Sequence, residues 1–258
     1  MADNIKYRFI QNVGDYFPSG YFSDDFIDKV QKCAGLTVED MKALCAPYIR
    51  LQHDYEEYKN FIINQNPRPK DAIKRTHDFN TRILKILGYN IEHPYAEPLV
   101  LNGETMPMEI VPVRHILRQS TQTKMLIMEM QHLIAVGEQE PAGLFDQQYE
   151  SEPDRNTGQQ RYSAAQWDLV FHYDREQYKI CPSIINKAVT AIFLLPEQQR
   201  PHFILMLAGN TVFLFDHDKW SRGSYLEFSL DELFTQARIP AFRNYFALFH
   251  LLVAKQTL

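Results

Sequence analysis

The sequence predicts a mixed α/β (α+β) fold: a mixed sheet flanked by helices, with a helical N-terminal extension. Three observations carry this reading. Residues 1–66 are mostly helical in pattern, and "NPRPK" breaks the chain just after them. From residue 67 onward an amphipathic helix gives way to short apolar runs of strand character. The 258 residues are 45% hydrophobic and 13% aromatic, ample for a sizeable core and unlike a disordered chain. The expected division is therefore 1–66 as extension and 67–258 as the main domain.

In the extension, "SDDFIDKVQKCAG" offers a Ser N-cap, early acids and a Gly stop. "TVEDMKALCAPYIRLQHDYEEYKNFIINQ" starts with a Thr-x-x-acid capping signal at Thr37, and Pro47 is expected to kink or divide that helix. In the main domain, residues 71–89 form an amphipathic helix with Ile73, Phe79, Ile83, Leu84, Ile86 and Leu87 near one face, and Gly88 ends it. "AEPLVL", "MPMEIVPV" and "KMLIMEMQHL" read as strands, with "NGE" as a hairpin-type turn. Residues 137–163, rich in Gln, Glu, Pro and Gly, read as a long surface loop inserted in the domain. "QWDLVFHYD" returns to strand character, and "PSIINKAVTAIFLL" is a helix with Pro at its start. "HFILMLAGNTVFLFDHD" is two strands around Gly209-Asn210, and "SLDELFTQA" and "PAFRNYFALFHLLVAKQTL" close the chain as helices. The last helix is apolar enough that it must pack internally or against further protein.

Composition bounds the function classes. A formal charge of -5 counts against autonomous tight DNA binding, because phosphate neutralisation supplies most of such affinity. The three cysteines, Cys33, Cys45 and Cys181, form no CxxC and read as buried free thiols. No apolar run is long enough to span a bilayer and the N-terminus is too polar for a secretion signal, so the expectation is a cytoplasmic protein with no membrane partner.

The informative stretch is "KMLIMEMQHLI". Alternation across a strand puts Met125, Ile127, Glu129 and Gln131 on one face and Leu126, Met128, Met130 and His132 on the other. A lone carboxylate inside an apolar strand costs several kcal/mol unless it is paired, coordinates a metal or reaches solvent. An ion pair to Arg114 or Arg118 is the structural explanation. The chemical one is a hard cation such as Mg²⁺, held by oxygen ligands from Glu109, in "PMEIVPV", and from Glu129.

The order of elements around Glu109 and Glu129-x-Gln131 resembles the PD-(D/E)xK nuclease superfamily, whose core runs helix, three strands, helix, strand. The resemblance implies a restriction-endonuclease-like sheet and Mg²⁺-dependent hydrolysis of DNA. In it Glu109 and Glu129 bind metal, Gln131 positions water, and Asp78 (or Asp71) of the first helix completes the shell. Glu stands in place of the family's Asp, and Gln131 in place of its lysine. The opening "DYFPSGYFSDDFIDKV" and the later "FILMLAGNTVFLFDHDKWSRGSYLEFSLDELF" look like the N-terminal region of bacterial type II restriction-modification proteins that fuse a nuclease-like domain to an adenine DNA methyltransferase. The chain has neither the Asn-Pro-Pro-Tyr/Phe loop nor the Gly-rich cofactor loop of the methyltransferase part. Two readings stand: a Mg²⁺-dependent nuclease-like domain of a restriction-modification or phage-defence protein, and a catalytically inactive module of that fold that recognises DNA or braces a methyltransferase. A small-molecule enzyme is the third class, and it would need a deep apolar pocket.

Other constellations are weaker. Asp216-His217-Asp218 reads as a polar turn at a strand end, with a metal site as the competing reading. Lys74, Arg75, Arg82 and Lys85 lie along the solvent side of the 71–89 helix, as a solvated face or a phosphate-tracking one. Trp220, Arg222 and Tyr225 suit either base stacking or core packing. The nine histidines include no HExxH, and there is no Walker loop or nucleophile elbow.

Overall fold

The computed structural model describes residues 7–18, 20–23, 25–65, 67–91, 97–130, 145 and 173–255. The fold is mixed α/β, as expected, with helices on both faces of a mixed sheet. Strand β1 (Ile10–Val13) is followed by helices α1 (Phe26–Cys33), α2 (Val38–Asn64) and α3 (Pro69–Ile86). Strands β2 (Glu97–Asn102), β3 (Met108–Val113), β4 (His115–Gln119) and β5 (Gln122–Glu129) come next. Beyond them lie β6 (Tyr178–Ile180), α4 (Ile185–Phe193), β7 (Phe203–Leu207) and β8 (Thr211–Asp216). The chain continues through α5 (His217–Trp220), β9 (Tyr225–Ser229), α6 (Leu230–Gln236) and α7 (Asn244–Val253).

Six strands form one sheet in the order β1-β9-β8-β7-β5-β4, and β2-β3-β6 form a second. Within the large sheet β5 and β7 are parallel, with α4 between them in the chain, and the other neighbours are antiparallel. One face carries Met125, Ile127, Leu205, Leu207, Leu226 and Phe228 against an aromatic layer from α2, α3, α6 and α7. There Tyr48 stacks on Phe246, Tyr55 on Phe234 and Tyr58 on Phe79. The opposite face carries Leu126, Met128, Ile204, Met206, Phe213 and Phe215, covered in part by Ile185, Ala188, Val189 and Ile192 of α4. Side chains of β5 thus alternate between the two cores as a strand requires.

Several local expectations change. The first 66 residues are not a separate helical extension. Ile10–Val13 pair with Phe228 to Tyr225 as an edge strand, and Tyr48, Leu51, Tyr55 and Tyr58 belong to the same core as the sheet. Pro47 does not divide α2, which runs unbroken over it; the capping box at its start is as expected, with Thr37 and Asp40 exchanging bonds. The N-cap of α1 is Asp25 rather than Ser23, whose hydroxyl instead donates to the Asp25 carboxylate at 2.6 Å. Strands β1, β4, β6 and β9 were not foreseen; β4 and β5 join in a hairpin with Ser120 at positive φ. The β7–β8 hairpin turns at Gly209, φ 69°, where expected. The apolar last helix packs internally: Tyr245 to Phe249 are buried. Cys45 and Cys181 are buried free thiols, whereas Cys33 is exposed. Gln131, His132, the 137–163 insertion apart from Phe145, and most of "QWDLVFHYD" lie outside the described residues.

Candidate functional site

Glu129 ends β5, level with Leu207 at the end of the parallel strand β7. Its side chain is only 2% exposed and faces the core layer that contains α3. Ligands of open α/β sheets collect at such carboxyl ends of parallel strands. A charge at this depth requires compensation, and α3 supplies it. His77 Nδ1 lies 2.7 Å from Glu129 Oε2. Arg114, at the bend where the chain passes from β3 into β4, is 5% exposed and donates from Nη2 to Thr81 Oγ1 at 3.3 Å. Burial pushes the Arg114 guanidinium below its ordinary pKa, while the Glu129 carboxylate pulls it back up. Of the two ion-pair partners anticipated for Glu129, Arg114 bonds to Thr81 and Arg118 reaches Glu97 at 4.0 Å on the surface.

His77 was missed, although its signal was present in the sequence. Positions 73, 77, 80, 84 and 87 recur at helical spacing on the buried stripe of α3, and two of them, His77 and Asn80, are polar. Asn80 is 1% exposed, and neither its Nδ2 nor Glu129 Oε1 has a hydrogen-bond partner among the described residues. Polar groups so placed are uncommon in a packed interface.

The other anticipated ligands do not gather here. Glu109 belongs to the second sheet, where it sits across from Lys179 and pairs with its Nζ at 3.1 Å. Asp78 is exposed and lines a shallow recess between α2 and α3 with Asp54, Tyr58, Arg75, Phe79 and Arg82, on another face of the helix from His77. Asp71 is likewise exposed in the first turn of α3. Gln131 lies outside the described residues. Magnesium requires several oxygen ligands in near-octahedral geometry. One carboxylate hydrogen-bonded to an imidazole does not supply them.

The basic row of α3 is diluted. Lys74 and Lys85 are exposed, Arg75 is half-buried, and Arg82 is bound to Asp54 at 2.5 Å. Asp71 and Asp78 interleave with them, so the face carries both signs. Trp220 and Tyr225 pack into an aromatic cluster with Phe145 and Phe215, and Trp220 Nε1 donates to Thr190 Oγ1 at 3.0 Å. Those two rings serve the core.

At the far end of the β7–β8 pair, His202, Asp216 and Asp218 bring ligand-type atoms within 4.8 Å of one another. Each acid already has a role. Asp216 Oδ1 caps α5 through the Asp218 N–H at 2.9 Å, its Oδ2 accepts from the Tyr16 hydroxyl at 3.3 Å, and Lys219 Nζ stands 4.0 Å away. Asp218 accepts from His217 Nδ1 at 2.8 Å, and that bond holds its carboxyl below the usual range. The polar-turn reading of this tripeptide describes these contacts.

No helix among the described residues is long and apolar enough to cross a membrane. No family model, curated protein or solved structure matches the chain.

Proposed function

We propose that this chain is a non-catalytic α/β module of a restriction-modification or phage-defence assembly, which braces a DNA-acting partner such as a methyltransferase. One observation carries the reading: Glu129, the acid that a nuclease of this architecture would use for metal, is sequestered by His77 at 2.7 Å. The placement of Glu109 on another sheet, paired with Lys179, supports it. The mixed-charge face of α3 and the charge of -5 favour a protein partner over unaided grip on DNA.

The test combines three measurements on the wild-type protein: calorimetric titration with Mg²⁺ and Mn²⁺, plasmid nicking with either ion, and fluorescence anisotropy on duplex DNA across a salt series. Expected are no resolvable metal binding, no nicking, and DNA affinity no better than the ~10⁻⁴–10⁻⁶ M of non-specific binders at physiological salt. Metal-dependent nicking that disappears in Glu129→Gln would replace this reading with an active nuclease.

A further inference from the structure

At the opposite end of β7 from Glu129, three side chains with metal-binding atoms converge. His202 immediately precedes β7, Asp216 ends β8 and Asp218 lies in α5. One ligand-type atom from each falls within 4.8 Å of the others. The backbone fixes this convergence. Phe203 sits opposite Asp216 in the β7–β8 register, and the His217 N–H donates to the His202 carbonyl at 2.9 Å. The His202 N–H in turn donates to the carbonyl of Lys124, on β5, at 3.0 Å. Asp216 is buried, whereas His202 and Asp218 are exposed, so the group opens to solvent on one side.

We propose that His202, Asp216 and Asp218 form a three-ligand site for Zn²⁺, with the fourth tetrahedral position left to water. Imidazole and carboxylate are donor types that Zn²⁺ takes at about 2.1 Å, and three protein ligands with one exchangeable position is its usual open arrangement. Two such bonds span at most about 4.2 Å. The three donors already lie close to that separation, and rotation of the two exposed side chains closes the difference. The bonds the acids make orient them and still leave room for an ion, because a carboxylate has about four acceptor sites. Asp216 accepts from the Asp218 N–H at 2.9 Å and the Tyr16 hydroxyl at 3.3 Å, and Asp218 accepts from His217 Nδ1 at 2.8 Å. Outer hydrogen bonds of this kind hold metal-ligating carboxylates in place. Lys219 Nζ, 4.0 Å from Asp216 Oδ2, is engaged by Tyr16: it donates to the Tyr16 carbonyl at 3.0 Å and lies 3.8 Å above the ring. The imidazole selects the ion, since it suits Zn²⁺ better than Mg²⁺, and Mn²⁺ binds such donors more weakly than Zn²⁺. Zinc at this end of β7 is independent of the reading of Glu129 at the other.

The experiment titrates Zn²⁺ calorimetrically into metal-free wild type, His202→Gln, Asp218→Asn and His53→Gln. The last is a control for surface histidines, because His53 pairs with Glu57 at 3.3 Å on α2 and could hold an ion by itself. Wild type should bind one Zn²⁺ per chain. His202→Gln and Asp218→Asn should each weaken that binding at least about tenfold, and His53→Gln should leave it unchanged. His202 and Asp218 are exposed, so both variants should unfold at the wild-type midpoint in EDTA. Added Zn²⁺ should raise the midpoint of wild type and of His53→Gln but not of the other two. Absence of Zn²⁺ binding by wild type overturns the proposal, as does binding that survives His202→Gln or Asp218→Asn. Should either variant fold poorly, Co²⁺ added to wild type decides: visible bands of a four-coordinate ion, bleached by Zn²⁺, are expected, and the spectrum of the hydrated ion overturns the proposal. Mg²⁺-dependent nicking would defeat the non-catalytic reading and leave the zinc site standing, whereas failure to bind Zn²⁺ leaves that reading in place.

Discussion

Gly14 shows how a single residue holds distant parts of the chain in contact. It adopts φ +61°, and a Cβ placed there would lie 2.7 Å from the carbonyl oxygen of Gly223. The Ser224 hydroxyl donates to the Gly14 carbonyl across the same contact, so the turn after β1 is tied to the turn before β9. Gly14→Ala meets both a left-handed backbone and a backbone clash, and neither can be relieved by rotating a side chain. The expected loss is about 1–3 kcal/mol of unfolding free energy, read by urea denaturation. No pattern in the sequence singles out this glycine, because the clash is with a residue far along the chain. The same limit applies at Glu129. Its anomaly was legible from "KMLIMEM", and Arg114 was among its expected partners. That His77 takes Oε2 depends on how α3 lies across β5.

Among the elements, α2 and α6 are joined by a polar clasp within an aromatic interface. Asp231, in the first turn of α6, accepts from the Tyr55 hydroxyl at 2.8 Å and from Lys59 Nζ at 2.6 Å, both on α2. Burial alone would raise the Asp231 carboxyl, but the bonds from Lys59 and Tyr55 outweigh it and hold the carboxyl below its usual value. The sign follows from linkage. A carboxyl whose folded pKa is depressed stabilises the fold above the unfolded value near 3.9, and loses that contribution as pH falls through the folded one. His250, next to Tyr48 at 3.0 Å, adds to acid sensitivity from higher pH, because burial lowers its pKa and the unfolded chain takes up its proton first. Stability should therefore begin to fall as pH drops below about 6.5 and fall further below about 4. Asp231→Asn should flatten only the lower step, as followed by thermal unfolding between pH 7 and pH 3. Caps and helix periods were readable in sequence because they are set by neighbours within a turn. The unforeseen strands β1, β4, β6 and β9 are only three to five residues long and too short for periodicity to declare them.

For the whole molecule, the consequential feature is that the N-terminal quarter contributes to the core. Deleting residues 1–66 removes an edge strand and Tyr48, Tyr55 and Tyr58 from beneath the sheet. The fragment 67–258 should accordingly fail to give a cooperative thermal transition or a native near-UV circular dichroism spectrum. A folded fragment would restore the two-domain division that the sequence pattern suggested. The sequence by itself determined the mixed α/β class, the amphipathic face of α3, the Thr37 cap, the Gly209 hairpin and the presence of an acid that had to be explained. All of these depend on composition, on short-range periodicity or on a burial cost fixed by residue type. Tertiary structure alone decided that β1 closes one edge of the large sheet and that Glu109 and Glu129 lie on separate sheets. It also decided that Glu129 meets the imidazole of His77. Strand register and helix crossing are long-range choices set by packing, and a one-dimensional pattern does not encode which of several charged residues ends up within 3 Å of another.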